Sequence, residues 1–514
     1  MRRFLLATTG GATALAATLS MALTSPTAAA GTTGGGDKEP WVVRSAVMRT
    51  DAKEFRTLCG KQQEGSPEVR SFPLLGHNKS FTAVQDYQQQ QPDGTVFWSG
   101  HDPKDSRRTI SVSAVGACTK GPVTLSGVIT SGFRQFEYEP AKRPGWYELT
   151  EIDSLKLPPS GQGVDTIEVP AKKPHKPHKP HKPGLSIAAT PENPAAIDVV
   201  FAYTPAALAE VGGSVDTVNA RIQYGVNQVN SALANANVPA SLHVVGTYMT
   251  QPTGMVNENV NTLLGMISNS NNTVLGVDAA AARRASSADL VALLASVPVG
   301  NSSGASSLPI PAPSAMTSAA AFSVTSILSV TGWANFGHEI GHNFGMQHDR
   351  LTFSRQAGTP PEGTSNYGWV TPNGQHHTLM AYNTACPQAC NVVNTYSNTQ
   401  YFWGDQPLGN AENNNAARAL QSADVLAAYR PTRATNRRSL TFAANDAAGG
   451  TLKVSQFGPY EPGTQVTIWA TPNRGYRFDA WAVDGVELPD TLPPSYQITM
   501  DTDHTVTAFF VPIP

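Results

Sequence analysis

The spacing of apolar positions changes twice along the chain, and these changes divide it. From Trp41 to about Pro158, apolar residues come in short runs broken by turns. Residues 95–98, 109–113 and 123–129 are rich in β-branched and aromatic side chains, the pattern of strands. This region predicts a small all-β domain. From Ala196 the pattern alternates between α and β. Residues 197–203 read as a strand, whereas Val218, Ile222, Val226, Val229 and Leu233 recur at helical spacing and predict a long helix over residues 215–236. Strands are expected over residues 241–248, 289–294 and 322–330, and a helix starting near Trp333. A last helix over residues 413–429 is stopped by Pro431. Beyond it, residues 465–470, 476–481 and 505–510 return to strand patterns. Turns at Pro462-Gly463 and at residues 473–475 introduce the first two.

Two stretches fit neither pattern. Residues 1–30 start with Arg2 and Arg3, continue with an apolar run over residues 4–23 and end in the small residues Ala28, Ala29 and Ala30. This is the layout of a bacterial-type export signal, so the chain is expected to be secreted and extracellular. No later segment is apolar enough to span a membrane. Residues 172–183 are a Lys-Pro-His repeat, and proline at every third position favours polyproline II. His175, His178 and His181 would then share one edge, either as a weak metal-binding edge or as part of a semi-rigid spacer. Both readings mark a boundary. The expected organisation is a signal at 1–30, a β-rich region at 31–168, a Pro/Lys/His-rich linker at 169–190, an α/β domain at 191–432 and a small all-β domain at 433–514.

Length and charge agree with this division. A chain of 514 residues exceeds one hydrophobic core, and 40% hydrophobic with 14% charged residues is globular composition with a lightly charged surface. A net charge of -2 calls for no nucleic-acid partner. An exported chain permits disulfides. Four cysteines allow two, and locality favours Cys59 with Cys118 and Cys386 with Cys390.

The chemistry is concentrated in His338-Glu339-Ile340-Gly341-His342-Asn343-Phe344-Gly345-Met346-Gln347-His348-Asp349. Positions four apart share a helix face, so His338 and His342 can meet one metal ion. Catalytic zinc takes three protein ligands and keeps one position open. His348 can be the third ligand if the helix ends and the chain turns back, and Gly345 suits that turn because glycine tolerates positive φ. Glu339, beside the first ligand, can take a proton from a water that zinc has acidified and pass it to the leaving amine. A bare His-Glu-x-x-His could also be two histidines on a solvated helix. Here Gly345 and His348 extend the motif, and Met380 follows in Thr378-Leu379-Met380-Ala381-Tyr382.

With these motifs in place, the sequence resembles the metzincin clan of zinc endopeptidases. His348-Asp349 is similar to the adamalysin (reprolysin) family, and residues 196–430 resemble bacterial reprolysin-like enzymes, including the peptidyl-Asp metalloendopeptidase group. Tyr203-Thr204-Pro205 and Ala288-Asp289-Leu290-Val291 are further matches. The resemblance implies an α/β (α+β) catalytic domain with a mixed five-stranded sheet, one catalytic Zn2+, and protein or peptide substrates. It implies that Met380 forms an apolar floor under the metal and that Asp349 is a buried anchor. Tyr382 is either a catalytic group that ligates zinc or steadies the oxyanion, or a core aromatic with its hydroxyl hydrogen-bonded. His376 and His377 are substitute ligands or, since three ligands are already found, loop decoration. No motif supports a Ca2+ site. The Pro-rich residues 307–314 fall where the family has its substrate-binding edge strand, and proline cannot donate to a ladder.

The N-terminal β region resembles the propeptides of these enzymes, so the resemblance implies an inactive precursor. Leu58-Cys59-Gly60 superficially resembles a cysteine switch, but Cys118 is available as a disulfide partner. Residues 441–510 resemble the divergent internalin-B-type repeat, which implies contact with a cell surface, a glycan or a protein substrate. Trp469 and Trp481 are expected in its core. The competing class is a surface-binding or adhesion protein with a vestigial protease fold. Retention of Glu339 argues against it.

Overall fold

The computed structural model describes residues 40–513 except 61–63, 77–78, 92–93, 157–164, 171–193, 251–258, 272, 298–302, 311, 332–333, 362 and 433–435. The expected export signal at residues 1–30 and the histidines of the Lys-Pro-His repeat lie outside the described residues.

The N-terminal strands form an antiparallel meander. Val42–Arg49 is followed in space by Trp146–Asp153, Arg134–Pro140, Thr124–Ser131, Asp105–Val115, Val96–Asp102 and Ser80–Gln90. Trp98, Phe81, Ile110, Tyr138 and Leu149 fill the core on one face. The short helix Ala52–Arg56 buries Phe55 there and leads Cys59 to Cys118, with which it forms a disulfide.

This sheet does not stop where the N-terminal region stops. Gln465 and Val466, in the strand Gln465–Pro472, pair with Gln88 and Tyr87 of Ser80–Gln90. Gln85 Nε2 donates to Gln465 Oε1 at 3.0 Å, and Thr467 Oγ1 donates to the Gln85 carbonyl at 3.1 Å. The two β regions expected as separate units thus share one 11-stranded sheet. The remaining C-terminal strands form a second sheet, ordered Leu440–Ala444, His504–Pro512, Tyr476–Val483 and Val486–Glu487. Trp481 is fully buried and donates its indole N–H to the Pro493 carbonyl at 2.9 Å. Trp469 lies edge-on to His101 at the seam of the shared sheet, with 6.3 Å between ring centroids.

Between these regions lies a mixed sheet ordered Ala240–Met249, Ala195–Tyr203, Leu290–Ala295, Phe322–Ser326, Gly304–Ile310 and Thr166–Pro170. Its central strands are apolar on both faces because helices cover both. Val199, Phe201, Ala292 and Leu294 join the core under the helix Val215–Asn235. Val200, Ala202, Val291 and Leu293 join that under Val260–Ile267 and Val274–Ser286. All five residues that predicted the long helix are buried.

Two expectations change. The sheet has six strands instead of five, because Thr166–Pro170 adds to it from before the linker and straddles the boundary placed at residue 168. The strand expected over residues 322–330 ends at Ser326, where a 3-10 turn Ile327–Ser329 begins. In the Pro-rich stretch the strand Gly304–Ile310 forms, and its one proline, Pro309, lies past the residues that pair with Phe322–Ser326. Among the described residues no helix is long and apolar enough to cross a membrane.

Candidate metal centre

The helix Asn335–Asn343 is buried throughout, and its turn sets the His338 and His342 rings 4.8 Å apart on one face. The helix then stops. The Met346 N–H bonds to the Gly341 carbonyl at 3.0 Å and the Gly345 N–H to that of His342 at 2.8 Å, a Schellman ending. It requires a left-handed residue, and Gly345 has φ +82°. The chain reverses and returns His348. Its Nε2 lies 3.0 Å from His342 Nε2 and 3.1 Å from His338 Nε2, and the last two are 3.2 Å apart.

The other ring nitrogens decide what this cluster can hold. His338 Nδ1 lies 2.7 Å from the Leu379 carbonyl, His342 Nδ1 2.9 Å from the Met346 carbonyl, and His348 Nδ1 2.7 Å from Gln356 Oε1. These oxygens only accept, so each Nδ1 carries the proton and each Nε2 turns a lone pair inward. Burial, and after it the charge of His348, holds His342 well below the usual histidine range, in the neutral form a metal requires. Three imidazoles whose Nε2 atoms converge within 3.2 Å of one another fit zinc.

Glu339, on the next helix position, is 2% exposed, and its Oε2 has no hydrogen-bond partner. Burial, and then the charge of Asp165, pushes its carboxyl well above the ordinary range. The edge strand comes so close that a Cβ on Gly304 would overlap the Glu339 carboxylate. Met380 is fully buried beneath the helix, and the missing Cβ of Gly341 admits its sulfur. Asp349 joins two parts of the site: Oδ1 accepts from the Thr352 N–H at 2.8 Å, capping the helix Arg350–Ala357, and Oδ2 accepts from the Tyr382 N–H at 3.1 Å. The Tyr382 ring lies 4.7 Å from that of His348 and 5.5 Å from that of His338. Its hydroxyl bonds to the Asp165 carboxylate.

Every site residue expected from the motif therefore comes to one place. His376 and His377 do not. His377 is buried with Nδ1 3.0 Å from the Thr378 carbonyl, and His376 packs against Trp403. The second disulfide, Cys386 with Cys390, closes a loop beyond Tyr382. Sequence reasoning missed Gln356, Gly304 and Asp165. The third completes the group of Asp165, His338, His342 and His348, whose ligand atoms all lie within 4.8 Å of one another. None of the three carries a local signal, since each gains meaning only from what the fold places opposite it.

Comparison with known proteins finds relatives across the same region. The chain is 26% identical over 377 residues to a peptidyl-Asp metalloendopeptidase of Stenotrophomonas maltophilia (strain K279a), covering 70% of this chain and 82% of that protein. A protein of the same description from Xanthomonas campestris pv. campestris is 25% identical over 375 residues, covering 71% and 83%. Residues 440–514 match the divergent InlB B-repeat domain. Residues 193–403 match metallo-peptidase family M12. With that match centred on this histidine cluster, the chain is a zinc metalloendopeptidase whose C-terminal residues resemble the divergent InlB B-repeat domain.

Proposed function

We propose that the chain is an exported precursor of an endopeptidase in which His338, His342 and His348 hold one zinc ion and Glu339 is the general base. The observation that supports this most directly is the convergence of three Nε2 lone pairs, each ring fixed by an oxygen acceptor at Nδ1. Bound zinc supplies Lewis acidity that polarises the scissile carbonyl and acidifies a water. Glu339 takes the proton released during attack and delivers it to the leaving amine. Tyr382 donates its hydroxyl to the oxyanion that develops beside the metal. Gly304–Ile310 is the strand edge along which an extended substrate aligns by backbone pairing. Met380 and Asp349 hold the floor and the loop in register.

From the name of the relatives we carry over cleavage beside aspartate. The signal at residues 1–30 directs secretion, and the B-repeat domain brings the enzyme to a surface or a protein substrate.

The test uses the processed, secreted protein. Metal analysis should find one zinc per chain. A chelator should abolish hydrolysis of denatured casein, and zinc should restore it. Glu339→Gln should keep the metal and lose on the order of 10³-fold in kcat/KM. A metal-free active protein overturns the zinc reading, and full activity in Glu339→Gln overturns the role of that residue. A peptide library tests the aspartate preference.

A further inference from the structure

Asp165 precedes the region matched to the peptidase family, yet it is 3% exposed and stands inside the histidine cluster. Its Oδ1 lies 3.1 Å from His348 Nε2 and 3.8 Å from His342 Nε2, and its Oδ2 lies 3.5 Å from His338 Nε2. Oδ1 is buried with no hydrogen-bond partner. One buried carboxylate whose two oxygens face three imidazole Nε2 atoms is an arrangement that a cation standing between them would stabilise.

The backbone delivers Asp165 to this position by occupying the substrate edge. The Ser306 N–H donates to the Asp165 carbonyl at 2.8 Å. Thr166–Pro170 then runs parallel to Gly304–Ile310, with Thr166 opposite Ser306 and Pro170 opposite Ile310. The cysteine expected as a candidate switch is elsewhere, in the disulfide with Cys118.

We infer that Asp165 is a fourth protein ligand to the metal of the uncut chain, and that residues 165–170 keep the precursor latent by filling the open coordination position and the substrate strand together. The inference rests on the zinc reading above. Three histidines leave one position open, and a carboxylate in that position leaves none for water. Glu339 then has no water to activate. Because the segment is tethered, the carboxylate competes at an effective concentration of at least millimolar, and cleavage of the linker at residues 171–193 turns it into a dissociable ligand.

The experiment loads the full-length uncut chain with Co2+, whose visible absorption reports its ligands, and titrates it with acetohydroxamate. Uncut wild type should need on the order of 100-fold more acetohydroxamate for a spectral change than uncut Asp165→Ala. Asp165→Asn, which keeps the shape but loses the charge, should behave like Asp165→Ala. Wild type cut in the linker and freed of its N-terminal part should match the variants. If the variants do not fold, uncut and cut wild type carry the comparison. Equal response of uncut wild type and Asp165→Ala overturns the ligand role. Refusal by every uncut form with acceptance by the cut form also overturns it, since the strand alone would then block the site. Failure of the chain to take up one Co2+ is a separate outcome that rejects the zinc reading itself.

Discussion

Gly304→Ala should separate catalysis from stability. A Cβ built on Gly304 overlaps Glu339 Oε1 and lies 2.5 Å from Cδ and 2.7 Å from Cγ of the same side chain. Ordinary contact is about 3.5 Å or more, so the carboxylate must move by roughly 1 Å. It is the far end of a flexible side chain, and the cost in folding is small, about 1 kcal/mol. The cost in rate is not small. A displacement of that size in a reacting group lowers turnover by on the order of 10²-fold, because Glu339 no longer reaches the water on the correct side of the metal. The assay is kcat/KM of the processed enzyme on a quenched-fluorescence peptide, with zinc content and thermal midpoint measured on the same preparation. Activity should fall on the order of 10²-fold while zinc stays at one per chain and the midpoint moves by only a few degrees. An alanine variant within about threefold of wild type would show that the edge strand does not position Glu339. Loss of zinc together with activity would show that the glycine serves the fold and not the base.

Further outcomes follow from other parts of the site. Asp349→Ala strips the acceptor from two buried N–H groups, those of Thr352 and Tyr382. At about 1–3 kcal/mol for each orphaned group, the denaturation free energy should fall by about 2–5 kcal/mol, and Asp349→Asn should lose roughly half of that. Burial lowers the His377 pKa to about 4. The unfolded chain binds this proton from about pH 6.5 and the folded chain only below about 4, so stability should drop as pH falls through that window, by up to about 3 kcal/mol. His377→Gln should flatten the difference in a pH series of urea midpoints. Reducing Cys59–Cys118, which closes a separation of 59 residues, should cost the N-terminal sheet about 4 kcal/mol. Its tryptophan fluorescence transition in urea should shift accordingly, while zinc content stays constant.

How far the sequence foretold this molecule depends on the range of the interaction. The two helical histidines, the glycine that ends their helix and the third histidine lie within eleven positions, so helical periodicity and one cap suffice to bring them together. The long helix was legible for the same reason. So was the pairing of Cys386 with Cys390, four positions apart. Asp165 was not, because only a parallel strand pairing formed far from the motif carries it to the metal, and an isolated aspartate in a Gly- and Val-containing stretch has no pattern. Gly304 was not, since the need for a missing Cβ exists only once Glu339 lies opposite. The ending of the strand at Ser326 was missed because Ile327 and Val330 remain buried, so apolar pattern alone continued past the turn.

The seam between the first and last folded regions constrains the order of events during synthesis. Gln85 meets Gln465 across 380 positions of sequence. A chain is made N-terminus first, so Tyr87 and Gln88, paired with Ser99 and Trp98 on one side, lack this second neighbour until nearly the whole polypeptide has emerged. On the precursor reading proposed above, the same seam matters again: loss of the leading region would turn the backbone of Gln465 and Val466 into a bare strand margin, open to any extended segment that can add to it.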